Sequence, residues 1–301
     1  MSDIDSNADS ISDSSNAHVD VGGGEGLISV DVRELCNRLR ANDPRVLGED
    51  NVFIPYNYIT HYLYSEAECI ALFQALEENT SVQHVDFSMF FERHNYNKRS
   101  ALVAAAYLES SKTLQTLNLG VIPNQLFQEE HEVHEKISLL LSALSRNTSV
   151  TKLNVYIDVV RFTGVAFQEL LTCTQTLQKL RIVGCDTAAF DEVQIADIAS
   201  GFANSTTLQD LEFDGWREVD LAPVLTALHC HPALQKIHFS AMSVCFLPSL
   251  PGLEALLRSQ NSKVKELVLE QVGTRTVGLR PVMQELGRNT TVTNLAIRDS
   301  S

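Results

Sequence analysis

Two short stretches of this 301-residue chain group side chains closely enough to do chemistry. Glu130-His131-Glu132-Val133-His134-Glu135 sets two histidines three apart, on one helix face, where both rings could reach a single ion. A metalloprotease helix needs them four apart with Glu after the first, so that reaction is not expected. The cluster falls where a helix should begin, and carboxylates there favour the positive end of the helix dipole. His229-Cys230-His231-Pro232 offers three adjacent donors. Adjacent residues rarely converge on one ion, and zinc sites usually draw four ligands from two separated pairs. Gly22-Gly23-Gly24-Glu25-Gly26 lacks the Lys-Ser/Thr that completes a phosphate loop. No serine or cysteine stands in a nucleophile motif and no acid pair stands out. The expectation is a chain that is not an enzyme and holds no metal and no cofactor.

The elements that would position these residues come from a repeat. Leu144-Ser-Arg-Asn147-Thr-Ser-Val150-Thr-Lys-Leu153-Asn-Val155 returns as Leu286-Gly-Arg-Asn289-Thr-Thr-Val292-Thr-Asn-Leu295-Ala-Ile297. The frame fits eight times, with successive copies 26 to 36 residues apart. Its closing L-x-L alternates apolar and polar, the period of a strand with one buried face. The stretch before it has helical spacing, as in Ile137, Leu140, Leu141 and Leu144 or Ile195, Ile198, Ala199 and Phe202. Between them lies a polar turn marked by Asn79, Asn147, Asn204 and Asn289, residue types that bond locally to freed backbone groups. The four asparagines also form glycosylation sequons, but their shared place in the repeat accounts for them without modification. Helix and strand in constant order predict an α/β solenoid with a parallel sheet and helices on one side. A degenerate capping unit over 31–64 is expected before the eight repeats of 65–301, with Leu35, Leu39 and Asn42 as helix and turn and Val52 and Ile54 as strand.

Residues 1–30 differ in composition. Six acidic side chains, seven serines and no Lys or Arg predict a disordered acidic tail. The tail supplies −6 of the net −15, leaving −9 on the rest. That balance excludes a nucleic-acid partner that needs a cationic surface. No apolar run reaches the ~20 residues of a membrane span, so no membrane partner is expected. The N-terminus has no basic start followed by an apolar stretch, and the six scattered cysteines suit free buried thiols in a reducing compartment. The expected location is cytoplasmic.

These repeats resemble the leucine-rich repeat family, specifically its ribonuclease-inhibitor-like subclass, over residues 65–301 and plausibly 31–301. The resemblance implies a curved horseshoe solenoid with strands on the concave face and helices on the convex face. It also implies a protein partner, a regulator (activator) of a small GTPase, or the sensor part of a larger receptor or ubiquitin-ligase adaptor. The family sets Asn or Cys three residues after the last strand leucine, where it bonds to the neighbouring turn. Here Phe90, Ile122, Asp158, Cys185, Trp216, Met242, Val272 and Ser300 stand there, and only Cys185 follows the pattern. A largely missing hydrogen-bond ladder and irregular turns after the strands are therefore expected.

In each strand the residues flanking the two closing apolar positions point away from the core. The binding face predicted on this basis comprises Lys152, Asn154, Tyr156, Lys179, Arg181, Asp210, Glu212, Asp214, Lys236 and His238, with Trp216 at its edge as an anchor if exposed. Lys179, Asp210, Lys236 and Glu266 alternate in sign, which suits lateral pairs within the sheet as well as a docking surface. The expected function is a non-enzymatic scaffold for protein binding through this face. The last strand, Thr291 to Ile297, would leave an open edge. That edge would be continued by further repeats or would meet a partner or another copy.

Overall fold

The computed structural model describes residues 29–48, 51–54, 65–87, 98–120, 130–156, 163–184, 192–215, 220–240, 250–271 and 280–298. Helices and strands alternate through them. The first units are α1 (Val30–Arg40), β1 (Val52–Phe53), α2 (Glu66–Glu78), β2 (His84–Phe87), α3 (Lys98–Ser110) and β3 (Thr116–Leu119). The middle units are α4 (Glu130–Arg146), β4 (Lys152–Tyr156), α5 (Gly164–Cys173), β5 (Lys179–Val183), α6 (Glu192–Asn204) and β6 (Asp210–Asp214). The last are α7 (Ala222–Ala227), β7 (Lys236–Ser240), α8 (Leu250–Arg258), β8 (Glu266–Glu270), α9 (Arg280–Leu286) and β9 (Asn294–Arg298). The nine strands among the described residues run parallel in one open sheet, in chain order. This is an α/β repeat solenoid.

Alternation within each strand decides which face is covered. From β2 to β7 the burial pattern steps regularly, and the inward residues are the predicted aliphatics, such as Leu153 and Val155 in β4. These join Ile137, Leu140, Leu141 and Leu144 of α4 in one continuous core. The helices therefore form a single layer over the apolar face, and the opposite face stays polar. Aromatics fill the rungs where space allows: Phe213 stacks on Phe239 with centroids 5.6 Å apart, and Phe73 meets Phe87 edge-on at 5.4 Å.

The turn before each strand carries a hydrogen-bond ladder. The carbonyl of Gln83 accepts from the N–H groups of Gln115 (2.7 Å) and Thr116 (3.0 Å). The same double acceptance recurs down the sheet, ending where Lys265 takes Thr293 and Asn294. Asn79, Asn147 and Asn289 add a second rung. Each accepts through Oδ1 from the N–H groups two and three residues on, and donates through Nδ2 to a carbonyl of the preceding unit: Leu39, Leu108 and Leu257, each at 2.6 Å. Burial of such an amide costs little because every group is satisfied. The ladder expected to be missing after the strands thus has a counterpart before them. The family-pattern positions from Phe90 to Ser300 lie outside the described residues, as does the acidic stretch 1–28.

Several expectations need correcting. Asn204 does not occupy the turn; it ends α6, exposed, and Ser205 takes the buried place one residue later. The cause is spacing, since Ser205 is three residues before Leu208, as Asn147 is before Val150. In the first unit Phe53, not the pair Val52 and Ile54, is buried, because Phe53 pairs in register with Val85. The last strand runs Asn294–Arg298 rather than from Thr291. Cys36 and Cys69 are buried thiols, and burial pushes Cys69 up to about 12, but Cys173 and Cys230 are exposed.

The first described unit is tied closely to the second. Ser29 caps α1, whose inner stripe Val32, Leu35, Cys36 and Leu39 is buried against the next unit. Its outer positions, from Asp31 and Glu34 to Arg38 and Arg40, are charged. Glu68 fastens the two units together: it completes a capping box with Ser65 and also accepts from the Ser29 N–H at 3.0 Å. Burial alone would raise its pKa, but the hydrogen bonds from Ser65 and Ser29 prevail and hold it below the usual value.

Candidate interaction surface

The outward residues of the strands line up as the sequence indicates. Register sets Lys152 beside Lys179, Lys179 beside Asp210, Asp210 beside Lys236 and Lys236 beside Glu266. A second column runs Asn154, Arg181, Glu212, His238, and a third runs Tyr156, Val183, Asp214, Ser240. The sheet thus brings together every predicted site residue except Trp216, which lies outside the described residues. Only the strand backbone positions these groups, so their spacing follows from the ladder itself.

Most of the charges are paired laterally. Lys236 Nζ lies 3.0 Å from Glu266 Oε1, and Lys179 Nζ only loosely approaches Asp210 Oδ2, at 3.9 Å. Arg181 bridges two carboxylates, with Nε 3.0 Å from Glu212 and Nη2 bonded to Asp214. Asp214 also accepts from the Ser240 hydroxyl at 2.7 Å. His238 sits between acids, its Nε2 3.3 Å from Glu270 and its Nδ1 3.8 Å from Glu212. Arg298 reaches Glu270 at 3.5 Å. Pairs this exposed contribute at most ~1 kcal/mol each, so they order the face more than they stabilise it.

On the other side of Arg181 the surface changes character. Asn118 donates to Asp86 at 3.1 Å, and Asn154 donates to Asn118 at 2.5 Å, forming an amide ladder across β2, β3 and β4. The ladder stops at Asn154, whose Oδ1 is buried with no hydrogen-bond partner among the described residues. Its register neighbour Arg181 points the other way, toward Glu212 and Asp214. Lys152 has no ion pair among the described residues, and the residue beside it is another lysine, Lys179. The face therefore divides into an under-paired basic strip on β4 and β5 and a charge-paired, acid-rich region on β6 to β8. Three residues depart from their predicted exposure: the inward rungs Leu295 and Ile297 are 39% and 44% exposed, and Val268 departs the other way. Val268, in the outward column of β8, is only 4% exposed and lies outside the main core, a burial that strand alternation does not show.

In the first stretch that suggested chemistry Glu130 begins α4, the side chains of 130–133 lie outside the described residues, His134 is exposed and Glu135 pairs with Lys98 at 2.5 Å. In the second stretch His229 is exposed and bonds its own helix through Thr226, while His231 is buried and accepts backbone N–H groups. Among the described residues no group of His, Cys, Asp and Glu could hold a metal ion. No helix among them is long and apolar enough to cross a membrane.

No family model and no curated protein matches the chain. Among solved structures, one that matches is leiomodin-1 actin-binding site 2, at 16% identity and a TM-score of 0.29, covering 62% of this chain and 80% of that one. A likeness of that size carries no argument about fold or function.

Proposed function

We propose that this chain is a non-enzymatic, cytoplasmic protein-binding module of the leucine-rich repeat type, with a ribonuclease-inhibitor-like arrangement. Its binding surface is the exposed sheet face. The observation that carries this reading is the cross-strand pair Lys152 and Lys179. Like charges side by side on a sheet oppose each other; among the described residues Lys152 has no ion pair and Lys179 reaches only Asp210, at 3.9 Å. A partner carboxylate placed between them would relieve that repulsion and fix register, while the acid-rich region around Glu212, Asp214 and Glu270 would favour a cation two or three strands away. Tyr156, half-buried on β4, supplies flat contact area beside the basic strip.

Affinity capture from native cells with three baits tests the proposal: wild type, the double variant Lys152→Glu/Lys179→Glu, and a helix-side control, Lys112→Glu. Partners enriched on wild type should remain on the control and fall by about tenfold or more on the double variant, the loss expected when charge complementarity turns to repulsion. Identical partner sets on wild type and the double variant would remove the sheet face from consideration.

A further inference from the structure

The outward side of β4 and β5 changes chemistry along the strand direction. It begins with Lys152 and Lys179, side by side and exposed, where only Lys179 approaches a carboxylate, that of Asp210 at 3.9 Å. Two residues on stand Asn154 and Arg181. Asn154 gives its Nδ2 to Asn118, and Arg181 is held by Glu212 and Asp214, so this step carries no spare charge. Two residues further Tyr156 and Val183 pair in register, both partly exposed. From the lysines to this apolar pair is four residues of strand, roughly 13 Å. The flanks limit what can lie here. β3 offers the neutral Thr116 and Asn118, and β6 offers three acids, Asp210, Glu212 and Asp214, one strand spacing from β5.

We infer that β4 and β5 bind an extended peptide of a partner protein carrying one carboxylate and, four residues from it, an aromatic or large aliphatic side chain. The carboxylate lies between Lys152 and Lys179, and the apolar side chain lies on Tyr156 and Val183. This rests on the sheet face being the binding surface, and adds which strands are used and what they recognise. Shape favours an extended occupant. Its side chains alternate, so two residues four apart share a face and match the rise of the strand beneath. An α-helix would need about nine residues to cover the same length, and its ~10 Å width would carry it over the acids of β6. Charge sets the number of carboxylates. A polyanion such as a nucleic acid would gain two lysines but meet three acids beside them, whereas a single carboxylate can stay on the lysine pair. The middle step, with Asn154 and a neutralised Arg181, asks for no charge in the peptide.

Titration of the full chain with end-capped peptides tests the inference. Phe-Ser-Gly-Ser-Glu and its reverse set the two groups four apart. The better of these two should bind about tenfold more tightly than peptides with a spacing of three or five, which turn one of the groups away from the sheet. Glu replaced by Gln should lose a similar factor, and an oligoglutamate should bind more weakly than the better peptide. On Lys152→Glu/Lys179→Glu the preference should invert, so that the peptide with Lys in place of Glu binds instead; this also shows that the variant is folded. Tyr156→Ala should remove the advantage of Phe over Ser and keep the dependence on Glu. Equal binding at spacings of three, four and five would overturn the inference, as would a tighter oligoglutamate or no binding by either four-spaced peptide. Capture from cells separates this failure from that of the wider reading. If partners are still lost on the double variant, the sheet face stands and only the motif falls; if they are retained, the surface itself is wrong.

Discussion

His231 stands where other repeats carry Asn79, Asn147 or Asn289, three residues before the aliphatic that opens the strand. Its Nδ1 accepts from the N–H groups of Ala233 (3.2 Å) and Leu234 (3.0 Å), as the asparagine Oδ1 does in those repeats. Accepting at Nδ1 leaves the ring proton on Nε2, which is buried without a hydrogen-bond partner among the described residues. Asparagine meets the same demand and its Nδ2 also donates to the preceding repeat, whereas the Nε2–H of His231 finds no acceptor among the described residues. Burial lowers the His231 pKa from 6.5 to about 4. Between those two values the unfolded chain takes up a proton that the folded chain refuses. The stability held above pH 6.5 is therefore lost as pH falls toward 4, by about 3 kcal/mol at most. His231→Asn should flatten that decline in urea midpoint and raise the midpoint at pH 5. An unchanged slope in the variant would show that another group is responsible. Glu68 contributes lower on the pH scale. Its lowered pKa means that its stabilisation is complete above the ordinary carboxylate range and disappears only as pH falls through the depressed value, so the two effects separate.

Between elements, Gly252 in α8 packs directly against the backbone at the start of α7. A Cβ there would lie 2.6 Å from the Ala222 Cα and 2.7 Å from the Ala222 carbonyl at the start of α7. Backbone cannot step aside as a side-chain tip can. Gly252→Ala should therefore cost about 1–3 kcal/mol of overpacking, which outweighs the ~1 kcal/mol that alanine gains in helix propensity. At Gly287, where the nearest atoms are 3.5 and 3.6 Å away, the same change should move the urea midpoint little. A Gly252→Ala protein as stable as wild type would mean that α7 and α8 can slide apart freely. Nothing in the sequence marks Gly252 as different from Gly287, because the distinction depends on which helix lies opposite. The strands were legible for the converse reason. Their period is local, and Leu153, Val155, Leu180 and Ile182 declare a buried face without knowledge of any neighbour. The outward columns followed from the same alternation, so the basic strip of Lys152 and Lys179 could be placed in advance. Three of the four turn asparagines were legible too, but Ser205 and His231 were not: His231 replaces the asparagine acceptor with Nδ1, and Ser205 fills the buried place with a hydroxyl that has no hydrogen-bond partner among the described residues. The burial of Val268 on the polar side, and the way Arg181 turns from Asn154 toward Glu212 and Asp214, depend on side-chain choices that no spacing encodes.

In the whole molecule each unit touches chiefly its neighbours, so stability is approximately the sum of the units and the junctions between them. A unit in the middle has two junctions and an end unit has one. The ends should consequently open first, and the two ends should differ. At the α1 end, Glu68 ties Ser29 to the next unit and a charged helix face shields the core. At the other end α9 buries Val282 and Glu285, while Leu286 is only partly covered and the β9 rungs lie open. Amide exchange with solvent deuterium, followed in dilute protein, should therefore be fastest in α9 and β9, slower in α1 and slowest in β6 and β7, where Phe213 and Phe239 stack at full burial. A flat profile from α1 to β9 would mean that the solenoid opens as one block rather than unit by unit.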